Sequence, residues 1–495
     1  MTSVIDDEFD DSFILAAEDW PPNEFDQKHK FSKHDESIIR KLVAHGPILL
    51  RGGRGSGKSA LMIAAHHRMK EFYGERILSF YISLRYLPLL RSQGSDYDRH
   101  FSIWLTGKIR SELADQNIDI EFPNVDDSTS LQTSILQLSE RIGKRIVLLF
   151  DDAAHIGREK PLTEFFDIFR ALSTSTVSCK ASIYPGVTEF GKRFDVYNDA
   201  TVIDIVRNDR HGDFNQFFHN VLKERYPQFS RKSFRTGFDP ERFAGIVGRA
   251  VVGNMRAFIF ACNRFRERDS IGLSELGEGF VRLAEEYYWP LLDEVSPKLG
   301  SYEPFVEPTR EMGEKLFGFS AARNAESLLI HRDIVQHYSK VFEILEYVGF
   351  ISRREASRAL KSGGRGTVFS LNLCNLLERT SGTRFTSEKL DEWIVSPKDP
   401  SEIHRSSSEL QSIVLPDLNE DRDLSILEMD ISTLQRSSAY PYGLTENKIE
   451  RLRDAGFDTV GRVAEASDTD IKSIQTIGDT YLRRIRDVVY QAIWM

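Results

Sequence analysis

What the chain lacks narrows the field first. No stretch approaches the roughly 18 consecutive apolar residues of a membrane-spanning helix. The N-terminus is acidic and shows no positively charged start followed by an apolar segment, so no secretory signal is read there. Cysteine is scarce: Cys179, Cys262 and Cys374 are the three in 495 residues, far apart and without metal-ligand spacing. Such usage suits a reducing cytoplasm and excludes a disulfide framework. The twelve histidines form no ligand cluster, and His66-His67 read as helix surface. A positive excess is missing too, with 65 Lys and Arg against 75 Asp and Glu and a net charge of −10. That balance argues against a protein that coats nucleic acid indiscriminately, while leaving room for one local basic surface.

What is present begins with an ordinary globular composition, 40% hydrophobic and 28% charged, in a chain too long for one core. The apolar run Pro47-Ile48-Leu49-Leu50 leads into Gly52-Gly53-Arg54-Gly55-Ser56-Gly57-Lys58-Ser59, and a helical pattern opens at Ala60. Strand, glycine-rich loop and helix with Gly-x4-Gly-Lys-Ser at the turn is the context that makes a phosphate cradle. Glycine lets the backbone curl until successive N–H groups point into one concavity. The helix N-terminus adds its positive dipole end. The spacing predicts that residues Gly52 to Ala60 hold the phosphates of ATP. Lys58 is expected to reach the β- and γ-phosphates, and the Ser59 hydroxyl to hold Mg²⁺.

The second strong signal is Arg145-Ile146-Val147-Leu148-Leu149-Phe150, which ends in Asp151-Asp152. A continuous apolar run fits a parallel strand covered on both faces. Acids at its carboxyl end sit beside the ligand crevice. Asp151 is expected to serve Mg²⁺ and Asp152 to orient the attacking water. Further strands are read at 76–82, 177–184 and 200–206, and helices at 34–45 and 162–173. Tyr184 and Thr188, after one of these strands, are candidate γ-phosphate sensors, with plain turn chemistry as the alternative.

From His211 the pattern turns helical, at 214–226, 239–247, 254–268 and 273–292. Arg256, in the first turn after Gly253-Asn254-Met255, is a candidate to reach back to the triphosphate, because its fixed fork suits developing phosphate charge. Residues 297–308 read as a connector and 333–348 as one amphipathic helix ending at Gly349. A hairpin with a Gly-rich tip follows, in the layout of a winged helix. Its Arg353, Arg354, Arg358, Lys361 and Arg365 face only Glu355 in the sequence, which suggests contact with duplex DNA; protein contact is the alternative. Residues 395–437 read as a linker. The last stretch carries short helices, a capping-box-like start at Ser467, and an Ile477-Gly478-Asp479 turn near Arg483, Arg484 and Arg486. Such a turn offers backbone N–H groups to a phosphate, although Thr476 and Asp479 are unusual there and leave protein docking open.

Together these residues resemble AAA+ ATPases of the origin-recognition-complex and initiator type, over about residues 30–375. The C-terminal stretch resembles helix-hairpin-helix modules of DNA-repair proteins. The resemblance implies an α/β fold: a P-loop NTPase parallel sheet with helices on both faces, then a helical lid, a winged helix and a small all-α domain. The expected division is 1–30 acidic flexible tail, 31–225 core, 226–300 lid, 301–394 winged-helix-like, 395–437 linker and 438–495 helix-hairpin-helix-like. It further implies an ATPase that self-associates and engages double-stranded DNA under nucleotide control, with an arginine finger from a neighbouring subunit, for which Arg193 is a loose candidate. Asp152 stands where the family often has Glu, which points to slow hydrolysis. The competing expectation is a STAND-like signalling or defence switch whose C-terminal modules, or acidic N-terminal tail, bind protein. A P-loop kinase is a distant third.

Overall fold

The computed structural model describes residues 16–85, 87–154, 159–187, 190, 193–235, 238–418, 424–436, 443–475 and 477–494. Thr188, Thr476, Gly191-Lys192 and the first half of the acidic N-terminal stretch lie outside them. Strands β1 (Ile48–Arg51), β2 (Ile77–Ser83), β3 (Arg145–Ala154), β4 (Val177–Ile183) and β5 (Thr201–Asp204) form one sheet in the order β2-β3-β4-β1-β5. Every pairing in it is parallel. Along β3, Ile146, Leu148 and Phe150 enter the core on one face and Val147 and Leu149 the core on the other. In β1, Leu49 goes one way and Ile48 and Leu50 the other. The apolar runs are continuous because both faces are covered.

Helices Lys33–Val43 and Lys58–Phe72 cover one face; Gly94–Asp115, Ser128–Ile142 and Glu159–Leu172 cover the other. Gly94–Asp115 and Ser128–Ile142 fall where sequence reading placed no element. The first buries Tyr97, Phe101, Leu105, Ile109 and Leu113, one large apolar residue per turn, so its stripe is narrow and its polar residues dominate the eye.

The acidic stretch expected as a flexible tail is folded from Ala16 onward. Trp20 and Phe25 are buried against the helix Lys58–Phe72 side of the sheet, and it is these aromatics that anchor the segment.

Beyond β5, one large hydrophobic core runs from Phe214 to Ile413, takes in Tyr184 from the end of β4, and joins the helical and hairpin-bearing regions. It includes a minor pair, β6 (Ser233–Phe234) with β7 (Ser270–Ile271), and a sheet of β8 (Ser327–His331), β9 (Ile351–Ala359), β10 (Arg365–Leu371) and β11 (Ser401–Ile403), ordered β11-β8-β10-β9. The connector expected at 297–308 gives way to helix Val306–Arg323, whose Pro308 sits in the first turn, where a missing N–H costs nothing. The single helix expected at 333–348 is two, Arg332–His337 and Ser339–Val348. The break is at Tyr338 (φ −101°, ψ 30°), whose hydroxyl donates to the Leu410 and Ile413 carbonyls at 2.9 and 3.2 Å. Gly349, in the left-handed region at φ 79°, ends the second helix.

The expected linker is also structured in part. It supplies β11, and Ile426, Leu427, Ile431 and Leu434 enter the core of the C-terminal unit. That unit is completed by helices Glu446–Asp454, Val460–Glu465, Asp468–Lys472 and Asp479–Trp494, with a capping box between Ser467 and Asp470. Among the described residues, no helix is long and apolar enough to cross a membrane.

Candidate nucleotide site

The glycine-rich loop joins β1 to helix Lys58–Phe72 at the carboxyl end of the parallel sheet. Gly55 (φ 77°) and Gly57 (φ 97°) take left-handed backbone there. The loop is gripped from three sides. Asn254 Nδ2 donates to the Arg54 carbonyl at 2.6 Å, and the Met255 and Arg256 amides donate to the Gly55 carbonyl at 3.1 and 3.3 Å. The Arg54 amide donates to the Tyr347 carbonyl at 3.0 Å, at the end of helix Ser339–Val348. Arg54 also pairs with Glu294 at 3.0 Å, both side chains 12% exposed. Burial works against the Glu294 carboxylate, but Arg54 and Lys298 outweigh it and hold its pKa down at about 2. Arg207 completes the grip, donating to the Ser56 carbonyl at 2.6 Å and to Asp35 at 3.2 Å.

Glycine is required at this packing. A Cβ on Gly55 would stand 2.5 Å from the Arg256 Cβ, and one on Gly53 2.7 Å from the Glu346 carbonyl oxygen. Gly55→Ala therefore combines a left-handed backbone, which costs an L-residue about 1–2 kcal/mol, with a collision against the Asn254–Arg256 turn. We expect a Kd for ATP raised at least about tenfold and a lower Tm, read by calorimetry and thermal denaturation.

Lys58 is 5% exposed. Its Nζ donates to the Gly52 and Gly53 carbonyls at 2.9 and 3.2 Å and sits 3.4 Å from the centre of the Tyr184 ring. Burial brings its pKa down to about 7, against the pull of Asp152 and Asp151. Tyr184 in turn packs on Tyr347, ring centres 5.0 Å apart. Arg256 lines the same pocket as Lys58.

The two acids occupy different environments. Asp151 is fully buried: Oδ1 accepts from Ser182 Oγ at 2.6 Å and from the Asp152 amide at 3.0 Å, and Oδ2 accepts from Tyr81 at 2.6 Å. Asp152 takes a left-handed backbone (φ 53°), and its Oδ2 accepts from Arg85 Nε at 2.6 Å. Arg85 Nη2 donates to Glu18 at 3.1 Å. Burial raises the Asp152 pKa to about 6; Arg85 opposes this, and Asp151 and Glu18 add to it. Carboxylate oxygens of Glu18, Asp151 and Asp152 lie within 4.8 Å of one another. With the Ser59 hydroxyl, this oxygen-only donor set has the chemistry a hard divalent cation such as Mg²⁺ requires.

The pocket, about 930 Å³ including its open mouth, has a polar end at Gly55–Ser59, Arg85, Asp152 and Arg256. Its other end is formed by Trp20, Phe31, Val221, Met255 and Ile259. Sequence reading missed Glu18, Tyr81, Arg85, Ser182 and Arg207. The available signals were faint: a Tyr and a Ser inside apolar strands flanking Asp151, and one Arg just past β2.

The residues expected at DNA fare differently. Arg354 is a correction: its side chain is 7% exposed and bridges Glu326 at 3.2 Å and Asp209 at 3.1 Å, so it faces the interior. The sequence concealed this because both partners are far away in the chain. Arg353 pairs with Glu346 at 3.1 Å and Arg358 with Glu355, which removes much of the expected local positive charge. Lys361 and Arg365 are exposed at the hairpin tip, Arg365 donating to Ser357 Oγ at 2.6 Å. Gly478 and Arg483 are exposed at the start of the last helix. Arg486 is consumed structurally by Asp468 and the Val463 carbonyl. Arg193 is exposed and outside the pocket lining.

No family model and no curated protein matches the chain. Among solved structures, the fold is similar to that of AAA+ initiators. The Aeropyrum pernix ORC2 protein is 11% identical, with 73% of this chain and 92% of that one covered and a TM-score of 0.36. For Cdc6p of Pyrobaculum aerophilum the values are 12%, 74%, 96% and 0.32. A STAND protein with a tetratricopeptide repeat sensor from Pyrococcus horikoshii gives 10%, 72%, 43% and 0.28. At such values the residues of the site carry the functional argument by themselves.

Proposed function

We propose that the chain is an ATP-driven conformational switch that hydrolyses ATP slowly and engages duplex DNA according to nucleotide state. The observation that carries the reading is the grip on the phosphate loop. Lys58 and Arg54 sit in one loop, and that loop is bonded at once to Asn254–Arg256, to Glu294 and to the end of helix Ser339–Val348, next to the hairpin sheet. A triphosphate in the cradle draws Lys58 away from the Gly52 and Gly53 carbonyls, and the Tyr184–Tyr347 stack moves with it. The apolar end of the pocket accepts a nucleobase. Asp152 orients water toward the γ-phosphorus once it is freed from Arg85, and Arg256 and Lys58 stabilise charge on the transferring group. Ser59 and Asp151 would hold Mg²⁺, which would supply charge neutralisation for the phosphates.

For DNA, the reading uses Lys361 and Arg365 at the hairpin tip together with the Gly478 turn and Arg483, as phosphate contacts. The test is ATP turnover with and without duplex DNA at two salt concentrations, with Lys58→Ala as the blank. Stimulation that fades with salt is expected, since phosphate contacts release counterions. Lys58-dependent turnover indifferent to DNA overturns the DNA part. The pairing of Arg353, Arg354 and Arg358 with carboxylates favours the second reading in that event, a switch whose C-terminal unit binds protein.

A further inference from the structure

The C-terminal helical unit does not hang free of the core. Leu90, in helix Leu87–Arg91, packs on its hydrophobic cluster, and Arg91 forms an ion pair with Glu465. On its other flank, Ser425 Oγ donates to Glu303 at 2.7 Å. Docked there, helix Asp479–Trp494 forms one side of an open cavity lined by Asp19, Arg85, Trp104, Lys108, Asp487 and Tyr490, with Asp19, Lys108 and Asp487 exposed to solvent. Arg85 is the side chain that holds Asp152 at 2.6 Å and Glu18 at 3.1 Å on its inner side. One guanidinium therefore stands between the acid expected to orient water and an acid from the last helix of the chain.

We propose that Asp487 is a positioning residue for the nucleotide site, acting across this cavity on Arg85 and through Arg85 on the Asp152 carboxylate. The inference rests on the nucleotide reading given above. Its physical content is competition for one cation. Asp152 and Glu18 draw Arg85 inward; Asp487 and Asp19 draw it outward. Partial burial raises the Asp487 carboxyl, while Arg483 and, less strongly, Arg85 pull it back. With the C-terminal unit docked, Arg85 remains bonded to Asp152 at 2.6 Å, and the negative field of Asp487 weakens that bond, so that nucleotide binding releases the carboxylate to water more readily. Without it, Asp152 and Glu18 hold Arg85 with only Asp19 opposing them. The unit thus makes the site hydrolysis-competent by presenting one charge, and any partner that lifts it off the core slows turnover without touching the nucleotide.

The experiment uses the full chain and reads kcat and ATP affinity separately. Asp487→Asn is expected to lower kcat about three- to tenfold, the scale of one charge acting through a partly solvated gap, with the Kd for ATP unchanged. Asp487→Glu, which keeps the charge, should restore most of the rate. Arg91→Glu should reproduce the Asn effect by undocking the unit, seen as a larger radius of gyration in small-angle scattering, and the Arg91→Glu/Glu465→Arg exchange should return both rate and radius. A merely structural role for Asp487 would move Kd or Tm along with kcat. Unchanged kcat in Asp487→Asn, with ATP binding and turnover intact in the wild type, overturns this inference alone. A wild-type chain that shows no Lys58-dependent ATP binding, or binds without turnover, overturns both it and the reading on which it rests.

Discussion

Lys58→Ala is expected to abolish tight ATP binding while leaving the fold intact. The lysine is buried in its own loop, bonded to the Gly52 and Gly53 carbonyls and set against Tyr184. Those carbonyls are weak partners for a cation compared with phosphate oxygens, so the side chain is primed to exchange one for the other. Truncating one member of a desolvated charge pair costs roughly 2–5 kcal/mol, about 30- to 4,000-fold in Kd. The fold should persist and, at or below about pH 7, stability should rise, because the substitution removes a buried cation whose desolvation outweighs the attraction of its partners. Calorimetric titration beside thermal denaturation separates the two effects. A variant that still binds ATP as the wild type does would remove Lys58 from the site.

The same burial sets a pH dependence of definite sign. Lys58 has a pKa of about 7 in the folded chain against an ordinary 10.5. Below about pH 7 both folded and unfolded chains carry the proton and the cost of burying it is present in full. Between about 7 and 10.5 the unfolded chain alone holds the proton, so the Lys58 contribution to stability rises with pH across that window. The rise should be missing from Lys58→Ala. For binding the sign reverses: phosphates demand the charged amine, so affinity falls as pH climbs above 7, and titrations near pH 8 in buffers of different ionisation enthalpy should show proton uptake.

How much of this was legible in the sequence depended on whether the physics was local. Gly52 to Ser59 and the strand ending in Asp151-Asp152 announce themselves, because a phosphate cradle and a doubly covered strand each need a specific run of residue types. The ends of helices could be read where a cap is a nearest-neighbour device, as at Ser467 and Gly349. What stayed hidden is contact between distant segments. Glu18 and Arg85 are 67 residues apart, and Arg207 reaches Ser56 across 151. No pattern within a window of a dozen residues contains either pairing. The hairpin arginines show the same limit from the other side. Counted along the chain they are a basic cluster, but Glu346, Glu326 and Asp209 arrive from other elements to neutralise Arg353 and Arg354. Helix Gly94–Asp115 was missed for a different reason, its narrow stripe of one large apolar residue per turn.

Arg354→Ala should be the most destabilising of the hairpin substitutions and should leave DNA affinity per folded molecule unchanged. The guanidinium bridges Glu326 and Asp209, whose side chains are 6% and 18% exposed. Removing it leaves two carboxylates facing each other away from water, and breaking a buried pair in this way costs about 3–5 kcal/mol. The loss has its own pH signature. Burial already raises the Glu326 carboxyl above its ordinary range, Arg354 opposing and Asp209 adding. An acid with a raised folded pKa contributes stability that is lost as pH rises through that value. Without Arg354 the pKa goes higher still, so the deficit of Arg354→Ala should be smaller near pH 5 than near pH 8. Arg365→Ala, at the exposed tip, is the contrasting variant: wild-type stability, weaker duplex binding and a salt slope shallower by about one. Chemical denaturation at the two pH values and duplex titration at two salt concentrations read all of these quantities. A stable Arg354→Ala chain with lost duplex affinity would return that arginine to the surface and the hairpin to a fully basic face; the opposite pattern assigns Arg354 to the joint between the P-loop core and the hairpin sheet.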